Sequence, residues 1–226
     1  MLFFDPLYMV FAFPALLLAL WAQWKVQSTY NKFARVPTST GIDGVQAAQM
    51  LVRRYGLNVS LEGIPGFLTD HYDPRTKTVA LSQSSQHNSI ASVAVVAHEL
   101  GHAQQDQEDY LPLKLRGAIV PMVQLGGWVG PILFVIGLLL SSEPFLTLGL
   151  IAFALAALFA IITLPVEFDA SRRALAMLQA NGILAPHELS GAKQVLDAAA
   201  LTYVAAAAQA ITQLLYFLLL ANRSRE

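Results

Sequence analysis

The chain has 226 residues, 55% hydrophobic and only 13% charged, with a mean hydropathy of +0.52. That balance excludes an ordinary soluble domain and points to the bilayer. A net charge of −1 gives no electrostatic basis for nucleic-acid binding, and the absence of cysteine removes disulfides, thiolate metal sites and cysteine nucleophiles together.

Residues 2–24 form a first apolar run, broken only by Asp5, Pro6, Pro14 and Gln23. Its length suits a membrane span. Lys25, Lys32 and Arg35 follow the run rather than precede it, and no small-residue cleavage site is clear. Residues 1–24 therefore read as an uncleaved anchor with the N-terminus outside, not as a signal peptide.

Residues 25–116 are the polar segment. Ser39 to Asp43 can open a helix, and Val45, Ala48, Gln49, Leu51 and Val52 fit an amphipathic helix ending near Arg54 to Gly56. Residues 57–68 are punctuated by glycine. Asp73 before Pro74 marks a turn, and Thr78 to Leu81 read as a short strand. Such a strand either pairs with extended substrate by strand addition or is a plain structural hairpin. Asn88 and Ser89 then cap a helix running to about Gln107.

That helix carries His98-Glu99-Leu100-Gly101-His102. Positions four apart share a helix face, so both imidazoles can point at one metal ion, and Glu99 can reach a water beside it. Two nitrogen ligands, a carboxylate base and an open coordination position are what a zinc peptidase needs. The five-residue pattern also occurs by chance on solvated helices, but Ile90, Val93, Ala94 and Ala97 mark this helix as buried. Gly101, costly inside a helix, implies close approach by another backbone or a ligand.

Residues 117–166 read as a membrane hairpin. Its first span holds Gly126, Gly127 and Gly130, which permit close packing, and its second holds Ala152, Ala156 and Ala160 on one face. The tight turn between them spans Ser141 to Pro144. The second span is expected to continue as a helix through residues 167–198, broken at Asn181-Gly182 and restarted near Pro186. Residues 199–226 form a last span and short tail. Nine lysines and arginines separate the first two spans, none lie within the hairpin and three precede the last span. The polar segment and the Glu167 segment should thus both face the cytoplasm. Arg223 and Arg225 disagree: the last span either runs against the rule or does not cross fully.

Catalytic zinc wants a third protein ligand. His71, His87, Asp106, Glu108, Glu167, Asp169 and His187 are available. Glu167 stands out, because an acid at the edge of a span is costly unless paired or bound, and the topology puts it on the side of the two histidines. The simpler reading has Glu167 and Asp169 pairing with Arg172 and Arg173 as an interfacial charge cluster.

Three stretches together resemble the YugP-type bacterial membrane-bound neutral zinc metallopeptidases: Asp70 to Pro74, Ala97 to Ala103 and Leu164 to Arg173. More distantly they are similar to the CAAX prenyl-protease and HtpX peptidases, where a membrane hairpin likewise separates H-E-x-x-H from a third-ligand glutamate. The glutamate motif there is Glu-Phe-x-Ala-Asp; here Ser171 replaces the final aspartate. The resemblance implies a mainly α integral membrane protein with about four transmembrane helices. It also implies a small α+β zincin-like domain at the cytoplasmic face of the cell membrane. It implies Zn²⁺ held by His98, His102 and Glu167. Glu99 would act as general base, taking a proton from water and passing it to the leaving amine. Asp169 would orient a ligand histidine, and His71, Tyr72, Tyr110 and Arg172 are available to stabilise the oxyanion. The expected partners are a polypeptide substrate, membrane-borne or membrane-associated, and the lipid bilayer, with a homo-oligomer or a membrane-protein partner left open. The competing class is a scaffold that keeps the zinc fold without turnover; the retained Glu99 argues against it. A channel component is disfavoured by spans nearly free of ionisable residues.

Overall fold

The computed structural model describes residues 6–223. The first five residues of the chain, Asp5 among them, and Arg225 in the tail lie outside the described residues. The elements in chain order are α1 (Pro6–Phe33), α2 (Gly44–Tyr55), β1 (Ser60–Gly63), β2 (His71–Asp73), β3 (Thr78–Leu81), a 3₁₀ turn (Gln83–Gln86), α3 (Ile90–Gln107), α4 (Leu111–Leu139), α5 (Glu143–Ala180) and α6 (Pro186–Arg223). The molecule is mainly helical, and α1, α4, α5 and α6 are long and apolar enough to cross a membrane. The described residues form two compact units. One holds 6–23, 114–164 and 202–223; the other holds 24–113 and 165–201.

The apolar unit is held by rings and small residues. Phe134, Leu146, Phe153 and Ala221 form its buried cluster. Phe153 stacks on Phe217 with centroids 4.4 Å apart, and Tyr8 meets Tyr216 edge-on at 5.0 Å. Gly126 and Gly130 both face Ala152, as their spacing predicts. A β-carbon on Gly130 would stand 2.5 Å from the Ala152 methyl, whereas one on Gly127 would meet nothing within 4 Å. Gly126 and Gly130 therefore serve the packing between α4 and α5, as do Gly137 against Leu146 and Gly149 against Phe134, whereas Gly127 does not.

The second unit is built around α3. Val93, Val96, Ala97 and Leu100 have no exposed surface, and Leu51, Leu178 and Ile183 pack into the same core. Each of these valine, leucine and isoleucine side chains stabilises the fold by roughly 1.5–3 kcal/mol. Local signals set the helix ends. Asp43 caps α2 by accepting from Gln46 N–H, while the Gln46 side chain reaches back to the Asp43 N–H; Gly56, at φ 57°, ends the helix. Ser89 caps α3 by accepting from Ser92 N–H. Its neighbour Asn88 turns instead to Thr38, accepting from both the backbone N–H and the hydroxyl. α5 continues through Pro165 and carries Glu167 onward to Ala180, ending before Asn181 and Gly182 (φ 61°).

The sheet has the order β1-β3-β2. β1 runs parallel to β3, pairing Ser60 with Thr78, and β2 runs antiparallel, pairing Tyr72 with Val79. The strand at 78–81 forms where the sequence predicts it, but it is central and fully buried. Both of its edges are taken, so strand addition to β3 is closed. The edge that turns toward α3 belongs to β2.

A candidate metal centre on two helices

α3 presents His98 and His102 one turn apart, with ring centroids 4.7 Å apart. α5 presents Glu167, which is 2% exposed. One Glu167 oxygen lies 3.2 Å from His98 Nε2 and 3.6 Å from His102 Nε2. One donor atom from each of the three residues fits within a span of 4.8 Å. Two imidazole nitrogens and a carboxylate oxygen match the donor set of a catalytic zinc site.

Two observations show that these atoms are presented to a common point. His98 Nδ1 lies 3.2 Å from Ser171 Oγ, and His102 Nδ1 lies 3.0 Å from Gln105 Oε1. Both rings are thus held by their far nitrogens, leaving the two Nε2 atoms to face Glu167. The helices also touch backbone to backbone. A β-carbon on Gly101 would stand 2.5 Å from the Ala170 carbonyl oxygen, which is the close approach that a glycine inside this motif predicts.

Glu99 accepts a hydrogen bond of 2.9 Å from the backbone N–H of Tyr72, on the edge of β2. Burial pushes its carboxyl above the usual carboxylate range, against the opposing pull of His98 and His102. Burial lowers the affinity of His102 for a proton, but contact with Glu167 outweighs it and the net shift is upward. The Tyr72 phenol donates to Asp106, on the same face of α3 two turns beyond Glu99, and Lys77 Nζ donates to the same carboxylate. The β2–β3 hairpin is thereby latched to α3, the helix of His98 and His102, at two points. Burial and the Asp106 contact both raise the Tyr72 hydroxyl pKa.

The remaining predicted residues fall elsewhere. Asp169 does not touch a histidine. It accepts from Gln105 Nε2 at 2.9 Å and from both Arg172 and Arg173. It therefore reaches His102 through Gln105, and the predicted charge cluster exists for Asp169 while Glu167 faces the histidines. The Arg172 side chain is 79% exposed and clamps Asp169. The His71 ring is exposed and donates from Nδ1 to Thr69 O. His87 and His187 are exposed, and Glu108 pairs with Arg173. Gln105 and Ser171 carry no role in the sequence reading. Their spacing held the signal: Gln105 follows His102 by three and Ser171 follows Glu167 by four, which puts each on its partner's face.

The model of the family described as "Putative neutral zinc metallopeptidase" matches residues 8–222, and the chain belongs to that family. It is 42% identical to the protein named "Putative membrane protease YugP" from Bacillus subtilis (strain 168) over 222 residues, covering 97% of this chain and 99% of the relative. No solved structure matches the chain.

Proposed function

We propose that the protein is a membrane-bound zinc metalloendopeptidase of zincin-like, gluzincin type, with His98, His102 and Glu167 as ligands and Glu99 as general base. The observation that carries this is the convergence of both Nε2 atoms and Glu167 beside a carboxylate that the Tyr72 N–H holds in place. Zinc at this point supplies Lewis acidity, lowering the pKa of water toward about 7 and polarising a scissile carbonyl.

The chain's own residues do the rest. Glu99, with one oxygen occupied by Tyr72 N–H, keeps the other for a proton taken from water and later returned to the leaving amine. Its raised proton affinity suits it to hold that proton between the two steps. The edge of β2 turned toward Glu99 offers main-chain polar groups to an extended polypeptide. Arg172 is held on Asp169, which leaves the oxyanion role better suited to main-chain donors near the site. Lysine and arginine on the segments flanking the spans favour a cytoplasmic site at the cell membrane. Glu167 follows directly on the apolar stretch of α5, which favours membrane-borne or membrane-associated polypeptides as substrates.

The test compares detergent-purified wild type with Glu99→Gln on an unfolded protein substrate, with zinc measured on both. About one zinc per chain in each, with cleavage lost about 10²–10⁴-fold in the variant, is the expected outcome. Zinc in both and cleavage by neither would support the scaffold reading. Zinc in neither would remove the ligand assignment.

A further inference from the structure

Gln105 has no exposed surface, and all of its side-chain polar atoms are committed. Nε2 lies 2.8 Å from the Val166 carbonyl and 2.9 Å from Asp169 Oδ2. Both of these are acceptors, so the amide nitrogen must face them and the amide oxygen must face His102. An oxygen that only accepts, 3.0 Å from His102 Nδ1, demands a proton on that nitrogen. The lone pair of the neutral ring is then on Nε2, toward Glu167. The orientation of the amide and the tautomer of the ring both follow from the heavy atoms. Asp169 is held in place by Arg172 on its Oδ1 and by Arg173, which shares Oδ2 with Gln105.

We propose that Gln105 is the positioning residue of His102, fixing its proton on Nδ1 and its lone pair toward the metal. A neutral amide, rather than a carboxylate, thus stands behind this ligand. Asp169 acts one link further out, by locking the amide. The other ligand histidine has the Ser171 hydroxyl at its Nδ1, a group that donates as well as accepts and so fixes no tautomer. The inference rests on the ligand set proposed above for its metal-binding half, while the tautomer stands on the protein alone.

The test therefore has two readouts. In metal-free wild type labelled with ¹⁵N-histidine, at alkaline pH where the ring is neutral, long-range ¹H–¹⁵N correlation should show His102 protonated on Nδ1. In Gln105→Leu that preference should be lost. Zinc affinity, read by chelator competition, should fall about 10–100-fold in the variant, and its Co²⁺ absorption bands should shift. Retained helical circular dichroism would separate this from unfolding. Gln105→Leu binding zinc as tightly as wild type, or a wild-type His102 protonated on Nε2, overturns the proposal. If the variant does not fold, the wild-type tautomer decides alone. A wild type that binds no zinc but shows the Nδ1 proton refutes the ligand set and leaves the wiring of Gln105 standing.

Discussion

In the unit around α3, buried polar atoms are paired one by one. Asp70 alone accepts from the Ser82 N–H and from the hydroxyls of Ser82, Ser84 and Ser85. Glu167, Gln105 and Asp169 form the chain described above. In the apolar unit the buried cluster is instead phenylalanine, leucine and alanine. Both units cross helices over glycine, but a β-carbon on Gly101 would meet a carbonyl oxygen and one on Gly130 a methyl, each at 2.5 Å. Apolar packing tolerates small slides, whereas paired polar groups demand both direction and distance. A site that must aim two nitrogens and a carboxylate at one point is thus built where polar pairing dominates.

The comparison can be broken most directly at the ligand. Glu167→Ala should lose zinc and cleavage to background, measured by metal analysis and turnover, while circular dichroism keeps its helical signal. Retained zinc would mean that another residue completes the site.

Matched glycine substitutions sharpen it. Gly101→Ala and Gly130→Ala should each destabilise by about 1–3 kcal/mol, read as a lowered thermal midpoint. Only Gly101→Ala should weaken zinc binding, because it pushes α3 off the helix that carries the third ligand. Equal zinc affinity in both variants would show that the crossing does not set the site.

Tyr72→Phe removes the phenol from Asp106 but keeps the N–H on Glu99. A loss of about 1 kcal/mol in stability, a few-fold drop in cleavage and unchanged zinc content are expected. The smallest effect belongs to Asp73, whose carboxylate caps the hairpin turn by accepting from Arg75 N–H, which holds its pKa below the ordinary value. A lowered folded value adds stability above the ordinary carboxylate range and loses it as pH falls through the folded value. Asp73→Asn should therefore lower the midpoint only slightly near neutrality, and the gap should close in acid. A gap that widens in acid would reverse the sign.

Much of this molecule is legible in local signals. Ser89 and Gly56 mark helix ends, and the lack of a turn signal between Pro165 and Asn181 foretells that the helix carries Glu167. Topology and its place at the edge of a span set Glu167 apart among the seven available ligands, and the family resemblance names it. The position of β3 between two partners is not legible, because its parallel pairing with β1 reaches past β2 and the Asp73-Pro74 turn to a strand that no tight turn joins to it. Nor is the contact of Tyr72 N–H with Glu99, which joins a strand to a helix 27 residues on and uses a main-chain atom that every residue but proline possesses. Ser171 reads as the loss of an aspartate, yet its hydroxyl stands 3.2 Å from His98 Nδ1 and partners that nitrogen itself.

The contact of Gly101 with Ala170 has one more consequence. Because main chain meets main chain there, van der Waals contact between the two backbones sets the spacing of the helices without an ion drawing them together. On the ligand set proposed above, an ion would enter a finished socket instead of acting as a rivet. Chelation should then be a reversible event in the life of a folded protein: stripped enzyme keeps its architecture, waits, and regains its metal without refolding.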